Sequence, residues 1–521
     1  MQNHVRLYLP LLSVVTLILI FYTATRLYGI TDFPLFNDEA IYVRWAQLGR
    51  YDPSQRLISL VDGKQPLFIW LTSIAMGVIS HPLFAGRLVS MIAGVGTMIG
   101  LYFLTYELFN KKFVAMGAVL LYALIPFALV YNRLALLDAL LGMFIVLSVY
   151  LQVLIARTLR LDYAFILGFT TGAAILTKTP GFLTLYLAPL ALLLVPWKRR
   201  IAVRQLARWI GLMLVVLMIS SLAYSVLRLS PHYAAIDEKN TEFIFDVARI
   251  SPLQLLKNAF SNLILSIGWI AQYITPYLFF LIIPAIIGKQ HRKERLFLFA
   301  WVILSIGIIS FVGRKLYPRY YFPSTLILLP LISFGFWQLY ERFKKKAVII
   351  GALVIMLVVY NDYRILTDLP RAPIPQADLV QYANGWAAGN GMKEIVQHLQ
   401  KEAMEGKVYI VSEGRFGSFP ATVVELFFWH YPQVEYRGID SITGKIPNSL
   451  VEKSRDMPVY VIVNKEQTVP SWPVELVMEH RKGVSDYFVR LYKVTDVPID
   501  PCDIYYEEIE KEPKECQKES Q

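Results

Sequence analysis

Eleven apolar runs of about 15 to 25 residues dominate the first 363 positions of this 521-residue chain. Each run is close to the ~20 residues that a helix needs to cross the hydrocarbon core of a bilayer. The mean hydropathy of +0.47 is far from that of a water-soluble domain. The runs lie near residues 5–22, 88–109, 113–131, 139–155, 163–177, 181–196, 209–229, 263–287, 296–312, 322–340 and 347–362. We therefore predict a polytopic α-helical membrane protein with about eleven transmembrane helices.

The net charge of +12 comes from the apolar part of the chain. Residues 1–363 contain 33 Lys and Arg against 15 Asp and Glu, whereas residues 364–521 contain 18 against 24. Basic loops on one side of a membrane produce such an excess without any polyanionic ligand. We therefore predict no nucleic-acid partner.

The distribution of basic residues also predicts the orientation. With a cytoplasmic N-terminus, five inner loops would hold 17 Lys and Arg, as the positive-inside rule expects. These clusters begin at Lys111, Arg157, Lys198, Lys289 and Arg342. A further apolar run at 66–80 would reverse every later loop if it crossed, so we interpret it as a re-entrant or juxtamembrane helix. We interpret the first run, at 5–22, as an uncleaved signal anchor in the plasma or inner membrane.

Beyond residue 363 the chain changes character. Two β-like runs, 408–411 and 459–463, and a helical stretch at 393–405 predict a small α/β domain over 364–495. Eleven spans after a cytoplasmic N-terminus would make this domain extracytoplasmic. The acidic, lysine-rich tail at 496–521 has few apolar residues, and we expect it to be disordered. It carries the two cysteines, Cys502 and Cys516, which either form a disulfide or remain free thiols.

Charged residues recur at the predicted outer ends of the apolar runs, where unpaired charges are costly. In the predicted topology these outer-facing residues are Asp38, Glu39, Lys64, Arg133, Asp138, Lys178, Arg314, Lys315 and Arg319. Each has a plainer explanation on its own. An arginine such as Arg133 can anchor a helix at the interface, and Asp38 or Asp138 can cap a helix. Their convergence on one face instead favours a charged catalytic surface.

The order and spacing of these motifs resemble the ArnT-like and protein O-mannosyltransferase-like integral-membrane glycosyltransferases of the GT-C class, families 39 and 83. The motifs that carry the resemblance are FNDE at 36–39, KQPL at 64–67, RL at 87–88, LFNKK at 108–112, RLALLD at 133–138, TKTPG at 177–181 and RYYFP at 319–323. The sequence departs from the family pattern at Gln65, where proline is common, and at Thr179, where glycine is common. Neither departure removes a charge.

The resemblance implies a GT-C type membrane domain over 1–363 and a polyprenyl-phosphate-linked sugar donor. The reaction would transfer the sugar, with inversion, to a hydroxyl of a lipid, glycan or protein acceptor at the extracytoplasmic face. Membrane lipids would surround the spanning helices.

The site residues follow from the resemblance and from the chemistry together. A hydroxyl nucleophile needs a base, and Asp38 is the candidate, with Glu39 positioning a neighbour. Asp138 would orient a hydroxyl of the donor sugar or the acceptor. The leaving lipid phosphate needs fixed cations, for which the candidates are Lys64, Lys178, Arg319 and Arg133. We expect no obligatory cofactor or metal, although the two adjacent acids leave Mg²⁺ or Mn²⁺ as an alternative.

Two other classes of function are compatible with a polytopic chain. A secondary transporter would place its charges near the bilayer midplane in two related halves. Here the charges lie at the ends of apolar runs, and we find no related halves in the sequence. A non-catalytic scaffold for envelope assembly is the second alternative, in which the C-terminal domain would be the functional part.

Overall fold

The structure is a computed structural model. It describes residues 2–516 except 247, 248, 289, 416, 441, 443, 466–469, 471, 496–498, 508–512 and 514. For residues 2–12 only the backbone is described. Lys289 of the predicted basic clusters therefore lies outside the described residues. The chain divides into two compact units. The first comprises Met1–Ile30, Leu48–Asp368 and Ala372–Ala377, and the second comprises Thr31–Gln47, Leu369–Arg371 and Asp378–Gln521.

Helices account for nearly all of the regular structure before residue 368. They are α1 (Gln2–Leu27), α2 (Asn37–Tyr51), α3 (Leu67–Ala75), α4 (Pro82–Phe109), α5 (Lys112–Leu124), α6 (Pro126–Tyr131), α7 (Leu137–Thr158), α8 (Leu161–Thr177), α9 (Leu183–Tyr186), α10 (Ala202–Ser225), α11 (Ala235–Phe243), α12 (Pro252–Ile274), α13 (Pro276–Phe279), α14 (Ile282–Ile287), α15 (Arg292–Val312), α16 (Phe322–Phe343) and α17 (Lys345–Thr367). Short 3₁₀ turns at Ile58–Asp62, Thr179–Phe182 and Pro318–Tyr321 lie between them.

Each of the eleven predicted runs coincides with helical structure. Among the described residues, six helical segments are long and apolar enough to cross a membrane: Pro82–Phe109, Leu137–Thr158, Ala202–Leu229, Arg292–Val312, Pro318–Phe343 and Lys345–Thr367. Pro252–Ile274 and Pro276–Ile287 form a seventh candidate that bends by 107°. The remaining runs are shorter apolar segments, Ser13–Leu27, Lys112–Leu124, Leu161–Thr177 and Thr179–Leu194. The multi-span membrane architecture is thus confirmed, and the count of eleven crossings stays a prediction.

The ambiguous run at 66–80 forms a helix that is too short to cross. α3 has nine residues, which at 1.5 Å per residue give a length of about 14 Å. A bilayer core is about 30 Å thick. This length supports the interpretation of the run as a juxtamembrane or re-entrant helix.

Small residues allow neighbouring helices of the first unit to approach closely. Along α8, a Cβ at Gly168 would lie 2.7 Å from Cβ of Ile219 on α10, and one at Gly172 would lie 2.8 Å from Cβ of Ala223. Glycines spaced four residues apart place one bare face against the partner helix. The position of α8 matters because Lys178 follows its last residue.

The second unit is built on a mixed five-stranded sheet with the order β2-β1-β4-β6-β5. Its strands and helices are α18 (Gln376–Leu379), α19 (Met392–Glu405), β1 (Val408–Glu413), α20 (Ala421–Phe428), β2 (Val434–Ile439), β3 (Ile446–Pro447), α21 (Asn448–Asp456), β4 (Val459–Val463), β5 (Val474–Arg481), β6 (Phe488–Val494) and β7 (Ile504–Tyr505). β1 pairs in parallel with β2 and β4, whereas β6 is antiparallel to β4 and β5. The predicted small C-terminal α/β domain is confirmed.

The two strands found from the sequence are the two central ones. Every residue of β1 and β4 is buried, which is why both read as continuous apolar runs. β2 and β5 have exposed residues and carry charged side chains. A run that mixes charged and apolar residues gives a much weaker strand signal, so β2, β5 and β6 were not predicted.

The predicted domain boundary at 363/364 falls inside α17, and the two compact units divide the chain at other positions. Residues 31–47, placed by sequence in the membrane domain, belong to the second unit. There Arg44 contacts the Glu425 carboxylate at 3.7 Å and lies over the Trp429 ring at 4.0 Å. Gln47 donates to the Leu426 carbonyl at 3.3 Å. These contacts hold α2 against α20.

Part of the tail that we expected to be disordered is structured. Ile504 and Tyr505 form β7, which pairs in parallel with β3. Cys502 and Cys516 form a disulfide, which decides between the two alternatives for these residues. Most of the tail beyond residue 507 lies outside the described residues.

Candidate active site

Asp138 and Lys178 form an ion pair at the ends of two helices. Asp138 is the second residue of α7, and its side chain is only 2% exposed. Lys178 follows the last residue of α8, and its Nζ lies 2.7 Å from Oδ1 of Asp138. Pairing offsets the large cost of burying a carboxylate. Leu136 is the N-cap of α7, so the alternative in which Asp138 caps this helix is wrong.

Lys178 lies between two apolar segments, outside both. Burial lowers the pKa of its ammonium group to about 8. Asp138 opposes this shift, whereas the positive charges of Arg319 and Lys64 add to it. Lys64 and Arg319 therefore lie close enough to Lys178 to act on its charge, and the roles expected of these residues stay predictions. The charge of Lys178 is therefore sensitive to pH just above neutrality.

An aromatic pair lies at the centre of the cations. Phe243 is the last residue of α11, Tyr320 lies in the Pro318–Tyr321 turn, and their rings meet edge to face at 6.4 Å. Around them lie Lys64 at 5.3 Å, Lys239 at 5.9 Å and Lys315 at 5.9 Å from the Phe243 ring, and Lys178 at 4.9 Å and Arg319 at 6.0 Å from the Tyr320 ring. Ring faces attract cations, which reduces the cost of gathering like charges. We call these seven residues the aromatic-cation cluster.

Main-chain hydrogen bonds fix the two loops that supply much of the cluster. The carbonyl of Phe243 accepts from the N–H groups of Arg314 and Lys315, at 2.7 and 3.3 Å. The Asn262 side chain donates to the Gly313 carbonyl at 2.9 Å. The segment after α11 is thereby tied to the segment after α15. Lys315 is held by its backbone and has an exposed side chain.

Gly63 fixes the entry of Lys64 into the cluster. Its φ of +63° lies in the left-handed region, which glycine adopts without strain. A Cβ at this position would also collide with the Ala235 carbonyl and with Lys239 on α11. On either side of Gly63, Asp62 pairs with Lys239 at 2.8 Å and the Lys64 N–H donates to the Ser59 carbonyl at 2.9 Å. Glycine is therefore the residue that permits this close approach.

The two residues that depart from the family pattern contact each other. Nε2 of Gln65 donates to Oγ1 of Thr179 at 2.9 Å. Gln65 follows Lys64, and Thr179 follows Lys178. The hydrogen bond therefore joins the two segments that carry these lysines, and it is made by the two residues at which the sequence departs from the family pattern.

Arg133 has a different environment from the one expected of a phosphate ligand. Its side chain is buried, and Nη1 donates to the carbonyls of Thr25 and Tyr28 at 2.7 and 2.6 Å, with Nη2 donating to Gly29 at 3.2 Å. These carbonyls lie at the end of α1, where helices leave acceptors unsatisfied. The contacts give Arg133 a structural role, and we leave it out of the phosphate-binding proposal.

Asp38 and Glu39 lie in the first turn of α2, within the second unit. Oε2 of Glu39 accepts from the Phe36 N–H at 3.0 Å, three residues earlier, and Glu39 is fully buried. A glutamate that reaches back in this way stabilises a helix start. Glu39 therefore shapes the turn that presents Asp38, which is partly exposed.

Sequence reasoning missed four members of the aromatic-cation cluster as site residues, among them Tyr320, which was noted only as part of the RYYFP motif at 319–323. Phe243 and Lys239 lie in the 231–262 stretch, in which we found no chemical signature, and Lys315 was noted only as an outer-facing charge. The mixed charged and apolar helix Ala235–Phe243 was the available signal. Within the part of the chain that the structure describes, no group of three or more His, Cys, Asp or Glu residues is placed to hold a metal ion.

Comparison with known proteins gives a family match across part of the first unit. The family model described as dolichyl-phosphate-mannose-protein mannosyltransferase matches residues 63–224. This range contains Lys64, Asp138 and Lys178. No curated protein matches.

Solved structures of two membrane glycosyltransferases share the fold. ArnT from Cupriavidus metallidurans, in a crystal structure bound to undecaprenyl phosphate, is 15% identical, with 94% of this chain and 100% of that chain covered and a TM-score of 0.57. The archaeal oligosaccharyltransferase AglB from Archaeoglobus fulgidus, in complex with an inhibitory peptide and a dolichol-phosphate, is 14% identical, with 87% and 69% covered and a TM-score of 0.50. The chain shares the fold of these membrane glycosyltransferases over most of its length. The aromatic-cation cluster is accordingly its candidate active-site region.

Proposed function

We propose that this protein is a GT-C glycosyltransferase that transfers a sugar from a polyprenyl-phosphate-linked donor to an acceptor hydroxyl at the extracytoplasmic face of the cell membrane. The observation that carries the proposal is the grouping of Lys64, Lys178 and Arg319 on the Phe243 and Tyr320 rings, with Asp138 paired to Lys178. A lipid phosphate is the leaving group of such a transfer, and it needs fixed positive charges as its negative charge grows. Undecaprenyl phosphate and dolichol-phosphate in the ArnT and AglB structures support this donor class.

The proposed transfer is one displacement at the anomeric carbon of the donor sugar. The acceptor oxygen forms a bond to the anomeric carbon while the bond from that carbon to the phosphate oxygen breaks, with inversion. Asp38 accepts the proton of the attacking hydroxyl. The polyprenyl phosphate leaves as an anion stabilised by Lys64, Lys178 and Arg319.

Asp138 has a more specific part in this proposal than the sequence suggested. Its carboxylate holds the Lys178 ammonium at 2.7 Å and supports the charged form of the lysine. Orientation of a sugar or acceptor hydroxyl stays a prediction. The acceptor is a lipid, a glycan or a protein.

Lys64→Met tests the phosphate-binding part of the proposal. A hydrogen bond to a charged group contributes about 1.5–3 kcal/mol, which corresponds to roughly 10- to 150-fold in affinity. We expect the KM for a polyprenyl-phosphate sugar to rise by that factor while the protein still inserts and folds. The measurement is sugar transfer by the purified protein in lipid vesicles at varied donor concentration.

Lys257→Met is the matched control, because Lys257 is an exposed lysine on α12 outside the cluster. Its donor KM should equal that of the unaltered protein. Equal KM values for Lys64→Met and Lys257→Met would remove Lys64 from the phosphate site. Absence of transfer by the unaltered protein with every polyprenyl-phosphate sugar tried would overturn the proposed donor class.

A further inference from the structure

A loop of the second unit runs alongside the residues that precede α2. In this 382–389 loop, Ala388 forms an antiparallel bridge with Phe36, and the Ala387 carbonyl accepts from the Asn37 N–H at 3.1 Å. The Phe36 ring packs edge to face on Tyr382, with centroids 5.0 Å apart. The 382–389 loop therefore holds the residues just before Asp38 in two ways, through main-chain contacts and through the Phe36 ring.

The same loop is held from its other side by a buried lysine. Lys482 is fully buried, and its Nζ donates to the carbonyls of Trp386 and Ala388 at 2.7 and 2.6 Å and to Oδ1 of Asn464. An ammonium group has three N–H donors and no acceptor, so three oxygens match its full capacity. Burial lowers the pKa of Lys482 to about 7, and below that pH its charged form makes stronger hydrogen bonds than a neutral amine. Lys482 thus fixes the carbonyl of Ala388, the residue that bridges to Phe36, and the carbonyl of Trp386 two residues before it.

Asn464 completes the anchorage to the sheet. Its Nδ2 donates to the Trp386 carbonyl at 3.0 Å. Its own backbone N–H donates to Oε2 of Glu413, at the end of β1, at 2.8 Å. Asn464 directly follows β4 and Glu413 ends β1, and these strands are neighbours in the sheet. The 382–389 loop is therefore connected to the rigid centre of the second unit.

We propose that Lys482 and Asn464 are positioning residues for the transfer reaction, acting through the 382–389 loop on the first turn of α2 and hence on Asp38. This inference rests on the proposed function, in which Asp38 is the base. It assigns the C-terminal α/β domain a part in turnover. Neither residue contacts the substrates in this role.

Glycine substitutions test the inference without disturbing the buried charge. A Cβ at Gly389 would overlap the Leu35 carbonyl oxygen, so Gly389→Ala forces the loop away from the segment that enters α2. A Cβ at Gly406, at the end of α19 in the same unit, has no atom within 4 Å. We expect Gly389→Ala to lower kcat at least tenfold, with donor KM within twofold of normal. Gly406→Ala should leave both unchanged.

A second pair of variants tests the lysine. Lys482→Met keeps the length of the side chain and deletes its three donors, whereas Lys401→Met alters an exposed lysine on α19. We expect Lys482→Met to lower kcat with an unchanged donor KM and Lys401→Met to change neither. Thermal unfolding of each variant separates this effect from a loss of the folded protein.

Hydrogen exchange gives a readout that does not depend on activity. Peptides covering residues 33–42 should exchange faster in Gly389→Ala and Lys482→Met than in the two controls. Normal exchange and normal kcat in both variants would overturn the inference. Equal losses in the controls would overturn it as well. Lack of transfer by the unaltered protein would instead refute the proposed function, and the exchange data would still decide whether the loop fixes α2.

Discussion

If Lys178 binds the donor phosphate as proposed, we expect the Lys178–Asp138 pair to make donor use depend on pH. Burial and the neighbouring cations lower the pKa of Lys178 to about 8, and only its protonated form carries the charge that a phosphate requires. The kcat/KM for the donor reports the ionisation of the free enzyme. It should fall as pH rises through 8, by roughly tenfold at pH 9. A pH series of initial rates with subsaturating donor measures this.

Lys178→Arg is the matched variant for the pH series. Arginine keeps its charge at every pH in this range, although its planar group does not reproduce the geometry of lysine. Its kcat/KM should be lower overall and flat between pH 7 and 9. A decline with the same midpoint in this variant would assign the titration to another group.

Asp38→Asn separates a catalytic carboxylate from a structural one. Asparagine keeps the size and removes the basicity, so turnover should fall by about 10² or more while expression and donor KM stay normal. Asparagine and aspartate stabilise a helix start about equally. Near-normal transfer would therefore indicate a structural role for Asp38 and make Asp138 the next candidate base.

At this scale the sequence predicted that some charged residues lie near one another, but it did not predict what each of them contacts. The cationic motifs at Lys64, Lys178 and Arg319 do come together, because each follows or precedes an apolar run whose end is constrained. Arg133 lies in an equally clear motif, but its guanidinium group donates hydrogen bonds to main-chain carbonyls at the end of α1. Every residue has a main-chain carbonyl, so the sequence does not show which carbonyls a side chain contacts, and this distinction required the structure. The Gln65–Thr179 contact also required the structure, because it joins two side chains that are 114 positions apart.

Secondary elements were predictable where they are apolar throughout. Each apolar run became helical, and the fully buried β1 and β4 were found. The breaks within runs were not predicted. The 107° bend after Ile274 and the mixed 3₁₀ and α structure over Thr179–Leu194 occur within continuous apolar sequence. Hydropathy reports burial in lipid or protein but carries little information on where a helix bends.

The glycine face of α8 gives a prediction for helix packing. Gly172→Ala places a Cβ 2.8 Å from Cβ of Ala223 on α10, and overpacking of this kind costs about 1–3 kcal/mol. Gly211→Ala on α10 has open space around the new methyl group, and there alanine should stabilise the helix by up to about 1 kcal/mol. Thermal unfolding in detergent should therefore shift in opposite directions for the two variants. Shifts of the same sign would contradict close α8–α10 packing.

The division of the whole molecule could not be derived from composition. Composition changes once, near residue 363, and this change predicted the C-terminal domain. Residues 31–47 resemble their neighbours in composition, yet they pack in the second unit through Arg44 and Gln47. Contacts between segments more than 370 positions apart, such as Gln47 to Leu426, are a property of the fold alone.

The orientation of the molecule gives the last prediction. An odd number of crossings after a cytoplasmic N-terminus places the second unit outside the cytoplasm, and the positive-inside rule supports this because the basic clusters then all face inward. The result depends on α3, whose nine residues are too few to cross. A reporter fused after Thr495 should behave as exported, and one fused within the 198–208 loop should behave as cytoplasmic. Cytoplasmic behaviour after Thr495 would mean that the number of crossings is even, and the loop reporter would then show on which side of the 198–208 loop the error lies.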